Sequence, residues 1–331
     1  MFPSAFIPQK KMLFVGTILA LALLDPRLGQ SQIAKVDILP FQTTTLTDQE
    51  FLSGKKEGKP VIIAGELRIP KLGNDRLPAV VLLHGSGGNS GYTDDWATFL
   101  NAMGVATFVM DSFTGRGINS VVDNQARLGR LATIVDAYRA LELIAKHPRI
   151  DPERIALMGF SRGGQAALYA SLKRFQRLHG PTGAAFSAYI AFYPDCSTTY
   201  LDDDDVAEKP IRIFHGSADD YSPVAPCRSY VERLRKAGKD VQLTEYAGAN
   251  HAFDWVMLQT PMKLAQAQTL RRCRLEETAD GRIINADTKQ TFTYGGDPCV
   301  ERGATIGYNA QAHGEAQKAV RELVTSVLKP K

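Results

Sequence analysis

Short apolar segments alternate with amphipathic segments along most of the chain. Seven runs rich in Val, Ile and Phe have the length of strands, and the segments between them space apolar residues three or four apart, as helices do. The run "VVLL" at 80–83 is apolar throughout, which is typical of a strand buried on both faces. The predicted strands span 61–69, 79–84, 105–111, 155–160, 188–192, 211–215 and 241–246, and the predicted helices 94–103, 125–146, 162–177 and 226–237.

This alternation predicts an α/β fold with a mostly parallel central sheet and helices on both faces. No internal repeat or linker divides the chain, so residues 32–331 are predicted to form one domain. The segment 256–308 lacks the crossover pattern and is interpreted as an insertion, with a hairpin turn at Asp280-Gly281. Two roles stay open for this insertion, a lid over a pocket and a surface decoration. An amphipathic helix over 311–327 closes the chain.

The N-terminal residues have the composition of a targeting segment. Lys10 and Lys11 precede the apolar run 12–24, which is shorter than the ~20 residues of a spanning helix. Residues 1–31 are therefore predicted to be a secretory signal peptide, and the protein to be periplasmic or secreted. The alternative is a retained N-terminal anchor, and only that alternative predicts membrane association.

Charge excludes one class of partner. The formal net charge is +4, and residues 1–31 carry three basic residues and one acidic residue, so +4 minus +2 leaves +2 for the remainder. No long block of Lys and Arg follows residue 31. Nucleic-acid binding, which needs clustered basic residues, is not expected.

The four cysteines fit an oxidising compartment. An even number of cysteines in an exported chain indicates two disulfides, and proximity along the chain favours Cys196–Cys227 and Cys273–Cys299. Two buried free thiols are the alternative for the first pair. The chain has no Cys-x-x-Cys pair, so a thiolate zinc site is not expected.

The pentapeptide Gly159-Phe160-Ser161-Arg162-Gly163 fits G-x-S-x-G between a predicted strand and a predicted helix. In a nucleophile elbow the serine occupies a strained turn that projects its hydroxyl above the sheet. The flanking positions crowd each other, which accounts for the two glycines. The sequence therefore predicts Ser161 as a nucleophile.

A serine nucleophile needs a base and a carboxylate, in the chain order serine, acid, histidine. Of six histidines, only His251 and His313 leave room for a strand-end acid after Ser161, and His313 falls in the closing helix. His251, in "YAGANHAFD", is the predicted base. Asp219, in "IFHGSADDYSP", is the predicted acid, although spacing alone leaves the neighbouring Asp220 open.

The segment "LLHGSGGNSG" follows the predicted strand 79–84 and supplies candidate oxyanion donors. The backbone N–H of Ser86, helped by Gly87, and that of Arg162 are predicted to bind the tetrahedral oxyanion. A phosphate-binding loop is the competing interpretation, but the segment matches neither the P-loop nor G-x-G-x-x-G. No metal or organic cofactor is required by this chemistry.

Six segments in this order resemble the dienelactone hydrolase family of the α/β-hydrolase superfamily: "LLHGSGG", "DSFTGRG", "DPERIALMGFSRGG", "AFYPDC", "FHGSADDYSP" and "YAGANHAFD". The resemblance covers roughly residues 55–255. It implies the α/β-hydrolase fold and a triad of Ser161, Asp219 and His251, and it selects Asp219 over Asp220. The enzymes for which the family is named use a cysteine nucleophile, so Ser161 implies a general esterase.

The expected function is hydrolysis of small carboxylic esters or lactones through an acyl-serine. The alternatives are a peptidase of the prolyl-oligopeptidase-like type and a non-catalytic exported binding protein on the same fold. Arg116 and Arg162 are candidates for attracting an acidic substrate, or for structural ion pairs. Four aromatic residues are candidates for lining a pocket or for simple core packing: Tyr92, Trp96, Tyr221 and Trp255.

Overall fold

The structure, a computed structural model, describes Met1 and residues 33–330. The predicted signal segment 1–31 lies, apart from Met1, outside the described residues, so its cleavage stays a prediction, as does the division into domains. The central sheet has eight strands in the order β1-β2-β4-β3-β5-β6-β8-β9. Its strands are β1 (Lys35–Thr45), β2 (Lys59–Ile69), β3 (Leu77–Leu83), β4 (Ala106–Asp111), β5 (Ile150–Phe160), β6 (Tyr189–Phe192), β8 (Ile211–Gly216) and β9 (Val241–Tyr246), with a short β7 (Thr198–Thr199) outside the sheet.

The sheet is parallel from β4 to β9, and β1 and β2 pair antiparallel at one end. This order, with helices on both faces, confirms the predicted α/β-hydrolase fold. The strand β1 was not predicted. It lies at the edge of the sheet, where exposed positions alternate with partly buried ones and the alternation of apolar and polar residues is weak.

Seven α-helices occur in the described part of the chain, and two predicted helices need correction. Within the predicted helix 125–146, Gln125–Arg127 forms a 3₁₀ turn and only Ala132–Ala145 is α-helical, with Gly129 between them approaching the Leu46 carbonyl closely. The predicted helix 162–177 is two helices, because the segment between them pairs with Val206 through Leu172. The helices are α1 (Asp48–Leu52), α2 (Gly91–Ala102), α3 (Ala132–Ala145), α4 (Arg162–Tyr169), α5 (Lys173–His179), α6 (Val224–Lys236) and α7 (Ala310–Val327), with 3₁₀ turns at Thr114–Arg116 and Gln125–Arg127.

The core is divided between the two faces of the sheet. In β3, Val81 and Leu83 pack in one apolar cluster with α3, α4 and α6, while Val80 and Leu82 pack in another with α2 and α7. Successive strand residues point to opposite faces, so a strand covered by helices on both sides must be apolar at every position. This explains the uninterrupted "VVLL" run.

The segment after β9 forms its own small sheets. Strands β10 (Met262–Thr269) and β13 (Glu301–Ile306) pair antiparallel, and β11 (Leu275–Glu277) and β12 (Ile283–Asn285) form a hairpin that pairs with β7. The predicted turn is confirmed, with Gly281 at a positive φ of 77°. Both predicted disulfides are also confirmed. Among the described residues, no helix combines the length and apolarity that crossing a bilayer requires.

Candidate active site

Ser161 occupies a sharp turn between β5 and α4. Its φ of 53° is unusual for a residue with a side chain, and its N–H is anchored by the carbonyl of Phe192 at 2.9 Å. A Cβ on Gly159 would collide with the Gly163 carbonyl, and a Cβ on Gly163 with the Leu83 carbonyl. Both glycines are therefore required by close backbone approach. The predicted crowding between the two positions holds for Gly159, whereas Gly163 is crowded by the end of β3.

Ser161, His251 and Asp219 form one hydrogen-bonded chain. His251 Nε2 lies 2.8 Å from Ser161 Oγ, and His251 Nδ1 lies 2.7 Å from Asp219 Oδ2. A carboxylate only accepts hydrogen bonds, so Nδ1 donates to Asp219 and Nε2 is left to accept from the serine hydroxyl. The other carboxylate oxygen accepts the N–H groups of Tyr221 and Ser222, both at 2.9 Å. These hydrogen bonds fix the orientations of the Ser161, His251 and Asp219 side chains.

The two neighbouring aspartates have different partners. Asp220 turns away from the histidine and accepts hydrogen bonds from the N–H and hydroxyl of Thr305, at 2.6 and 3.0 Å. The structure therefore brings Asp219, and not Asp220, to His251. His313 lies in α7, and its nearest ring neighbours are Trp96 and Tyr308.

The predicted oxyanion donors flank the serine. Arg162 is the first residue of α4, and the Ser86 carbonyl is fixed by the N–H of Val121 at 2.8 Å. Within the described residues, neither the Ser86 N–H nor the Arg162 N–H has a hydrogen-bond partner. Both amides are therefore free to bind a developing oxyanion.

Two further histidines are buried close to this site but are not positioned as bases. His84 accepts the N–H of Ser112 at 3.2 Å, and His215 Nε2 lies 3.4 Å from the Pro194 carbonyl. Burial lowers the pKa of both imidazoles below the usual 6.5, so they are neutral at pH 7. Both are structural parts of the loops that carry the site.

Comparison with known proteins identifies the family of the chain. Residues 63–272 match the model of the dienelactone hydrolase family. The chain belongs to the dienelactone hydrolase family. It is accordingly an ester-bond hydrolase, and the resemblance seen in the sequence is confirmed.

Individual relatives are more distant. The chain is 33% identical over 106 residues to acyl-protein thioesterase 1 of Gibberella zeae, a match that covers 31% of this chain and 43% of that relative. A solved structure named m3DLH superposes with a TM-score of 0.57 at 18% identity, covering 88% of this chain and 99% of the other. A dienelactone hydrolase-like promiscuous phosphotriesterase from metagenomic libraries gives 0.53 at 17% identity, covering 88% and 98%. These structural likenesses show the shared fold.

Two cavities meet at Ser161 in this family member. The polar chamber, about 40 Å³, is lined by buried guanidinium groups of Arg130 and Arg162 together with Asp195. The apolar chamber, about 130 Å³, contains His251 and is lined mainly by aromatic and aliphatic side chains. Three of the four aromatic candidates line this chamber, namely Tyr92, Tyr221 and Trp255. The fourth, Trp96, is a buried core residue.

Gln125 is a site residue that sequence reasoning missed. Its side-chain amide donates to Ser86 Oγ at 3.0 Å, and its carbonyl oxygen accepts from Arg162 Nη1 at 2.9 Å. Its backbone N–H donates to Gln268 Oε1 at 2.8 Å. Gln125 therefore connects both oxyanion segments to the insertion. No motif marks it, because its role depends on contacts distant in sequence.

A buried aspartate that the sequence analysis missed binds a tyrosine that packs on the candidate base. Asp254 accepts hydrogen bonds from Tyr193 Oη at 2.8 Å and Trp96 Nε1 at 2.7 Å. The Tyr193 ring packs 4.6 Å from the His251 imidazole, and Tyr221 packs on it at 4.8 Å. Burial raises the pKa of the Asp254 carboxyl. In the sequence, only the position of Asp254 in "HAFD", three residues after His251, indicated that it could lie near the site.

Proposed function

We propose that the protein is a serine esterase that hydrolyses small carboxylic esters or lactones through an acyl-serine. The observation that carries the proposal is the continuous hydrogen-bonded chain from Asp219 through His251 to Ser161, at 2.7 and 2.8 Å. The free N–H groups of Ser86 and Arg162 supply the expected oxyanion donors. Two disulfides support an exported protein.

The proposed reaction has two halves. Ser161 Oγ bonds to the acyl carbon while His251 takes its proton, and the tetrahedral oxyanion is held by the two backbone N–H groups. His251 then gives the proton to the leaving alcohol, and the ester bond breaks. Water attacks the acyl-serine by the same route in reverse and releases the acid. Asp219 orients the imidazole and stabilises its protonated form.

Kinetics of serine and aspartate variants test this proposal. Ser161→Ala is expected to lower kcat by 10³-fold or more, since triad members act as a unit. Asp219→Asn is expected to cost on the order of 10³- to 10⁴-fold because it stabilises the wrong tautomer. Asp220→Asn is the matched control and is expected to retain activity, because Asp220 contacts Thr305 instead of the histidine.

Substrate panels separate the proposal from its alternatives. Alkyl esters, the corresponding thioesters and dipeptide amides are compared on the folded protein, together with labelling by a fluorophosphonate. Hydrolysis of the oxygen esters with labelling supports the proposal. Turnover of amides alone indicates a peptidase. A folded protein that neither labels nor hydrolyses any member is a binding protein, and the proposal is then wrong.

A further inference from the structure

The insertion, residues 256–308, is hydrogen-bonded to the loops that contain the candidate site residues. Gln268 N–H donates to the Val122 carbonyl at 2.9 Å, and Thr269 Oγ1 donates to the Tyr221 carbonyl at 2.7 Å. At the other end of its sheet, Gly307 N–H donates to the His251 carbonyl at 3.0 Å. A segment held by three such bonds to separate loops acts as a fixed wall of the site.

This wall lines the apolar chamber. Leu264 of β10 and Ile306 of β13 line the cavity together with Tyr92, Trp255 and Ser161. The cavity measures about 130 Å³. An apolar cavity of ~150 Å³ holds benzene, so this chamber has room for roughly five non-hydrogen atoms.

The position of His251 indicates which half of an ester, the alcohol or the acyl group, enters the apolar chamber. A leaving oxygen must lie within hydrogen-bond reach of His251 Nε2 to receive its proton. His251 lines the apolar chamber, whereas the polar chamber holds Ser161 without His251. The alcohol half therefore enters the apolar chamber, and the acyl half extends into the polar one.

We infer that Leu264 and Ile306 contact the alcohol half of the ester and favour short alkyl chains over long ones. The inference rests on the proposed function and names its substrate class, which is esters of short primary alcohols. Leu264 and Ile306 form the side of the chamber that the insertion contributes, so the alkyl chain of the alcohol packs against them.

Two ester series test the inference. One series holds the acid constant, with ethyl, butyl, hexyl and octyl acetates. The other holds the alcohol constant, with ethyl acetate, butyrate, hexanoate and octanoate. Values of kcat/KM are measured by pH-stat for the wild type, Leu264→Ala and Leu264→Phe. Leu264 is used because Ile306 precedes the glycine that binds the His251 carbonyl.

Lys263→Ala is the matched control. Lys263 neighbours Leu264 on β10, is exposed, and points to the opposite side of the strand. The control is expected to keep the wild-type profile in both series. Labelling rates with a fluorophosphonate show that each variant retains a folded site.

The expected result is a shift in the alcohol series only. Leu264→Ala should raise the hexyl-to-ethyl ratio of kcat/KM by about tenfold or more, and Leu264→Phe should lower the butyl-to-ethyl ratio by a similar factor. An unchanged alcohol profile in active variants overturns the inference, and so does a shift confined to the acyl series. Wild type that hydrolyses neither series and fails to label overturns the proposed function instead.

Discussion

Two buried arginines with the same chemistry have opposite surroundings. Arg116 makes a paired contact with Asp136 at 2.7 and 2.9 Å and also donates to Thr45 and to the Ser112 carbonyl. Arg162 donates to Gln125 Oε1 and to the carbonyls of Leu128 and Gly129. Within the described residues, every partner of Arg162 is a neutral group.

The difference in partners indicates a structural role for Arg116 and a role at the candidate site for Arg162. A buried charge that is paired with an opposite charge is neutralised inside the protein, whereas a buried charge with neutral partners keeps its field. Arg162 directs that field into the polar chamber beside Ser161, and Arg130 lies in the same wall, 3.5 Å from Asp195. The sequence left the roles of Arg116 and Arg162 open. The structure assigns Arg116 to an internal ion pair.

The largest expected effect comes from breaking the internal pair. Asp136→Asn leaves Arg116 buried without a counter-ion and should lower the free energy of unfolding by about 3 kcal/mol or more. Denaturant unfolding measures the change, and activity per folded molecule should be retained. The double variant Arg116→Met/Asp136→Asn should recover part of the loss. Equal stability of Asp136→Asn and wild type would show that the pair carries no such role.

The second effect concerns selectivity for charge. If the acyl half enters the polar chamber, monoethyl succinate should be preferred over the similarly shaped neutral ethyl valerate. Arg162→Met removes the charge and should reduce that preference in kcat/KM by about tenfold, because hydrogen bonds to charged groups contribute roughly 1.5–3 kcal/mol. Added salt should weaken the wild-type preference and leave that of the variant unchanged. A parallel fall for both esters would contradict the comparison.

The smallest effect is a pH dependence of stability near His84. Burial lowers the pKa of this imidazole, and the Arg162 charge lowers it further while Asp136 raises it. The unfolded state therefore binds a proton at a higher pH than the folded state, near 6.5. Stability should be full above pH 6.5 and decline as the pH falls below it. Thermal unfolding between pH 5 and 8 measures the slope, which should be shallower in His84→Gln.

Most of the parallel core was predictable because strands such as β3 and β6 are apolar throughout and most of the turns after the parallel strands contain glycine. The elbow was predictable because the G-x-S-x-G pattern is local in sequence. Of its two glycines, only Gly159 has a local steric cause, whereas Gly163 is crowded by the carbonyl of Leu83 in β3. The edge strand β1 was missed because only part of its length is buried. Local patterns thus gave the frame of the molecule and the order of its candidate triad.

The chambers could not be predicted, because they depend on contacts between distant segments. Gln125 and Gln268 meet across 143 residues, and Trp96 meets Asp254 across 158. No short motif in the insertion indicates that Leu264 and Trp255 line the same cavity. The proposed substrate selectivity therefore depends on tertiary packing, whereas the proposed bond-breaking residues lie at positions that sequence motifs indicate.

Mapping the covalent intermediate tests the central claim most directly. The protein is mixed with a slowly deacylating aryl ester, quenched in acid, digested and analysed by mass spectrometry. The account predicts one acyl adduct, on Ser161, that is absent in Ser161→Ala and forms far more slowly in His251→Ala. Continued hydrolysis without an adduct on Ser161, or an adduct on another residue that accounts for turnover, would contradict it.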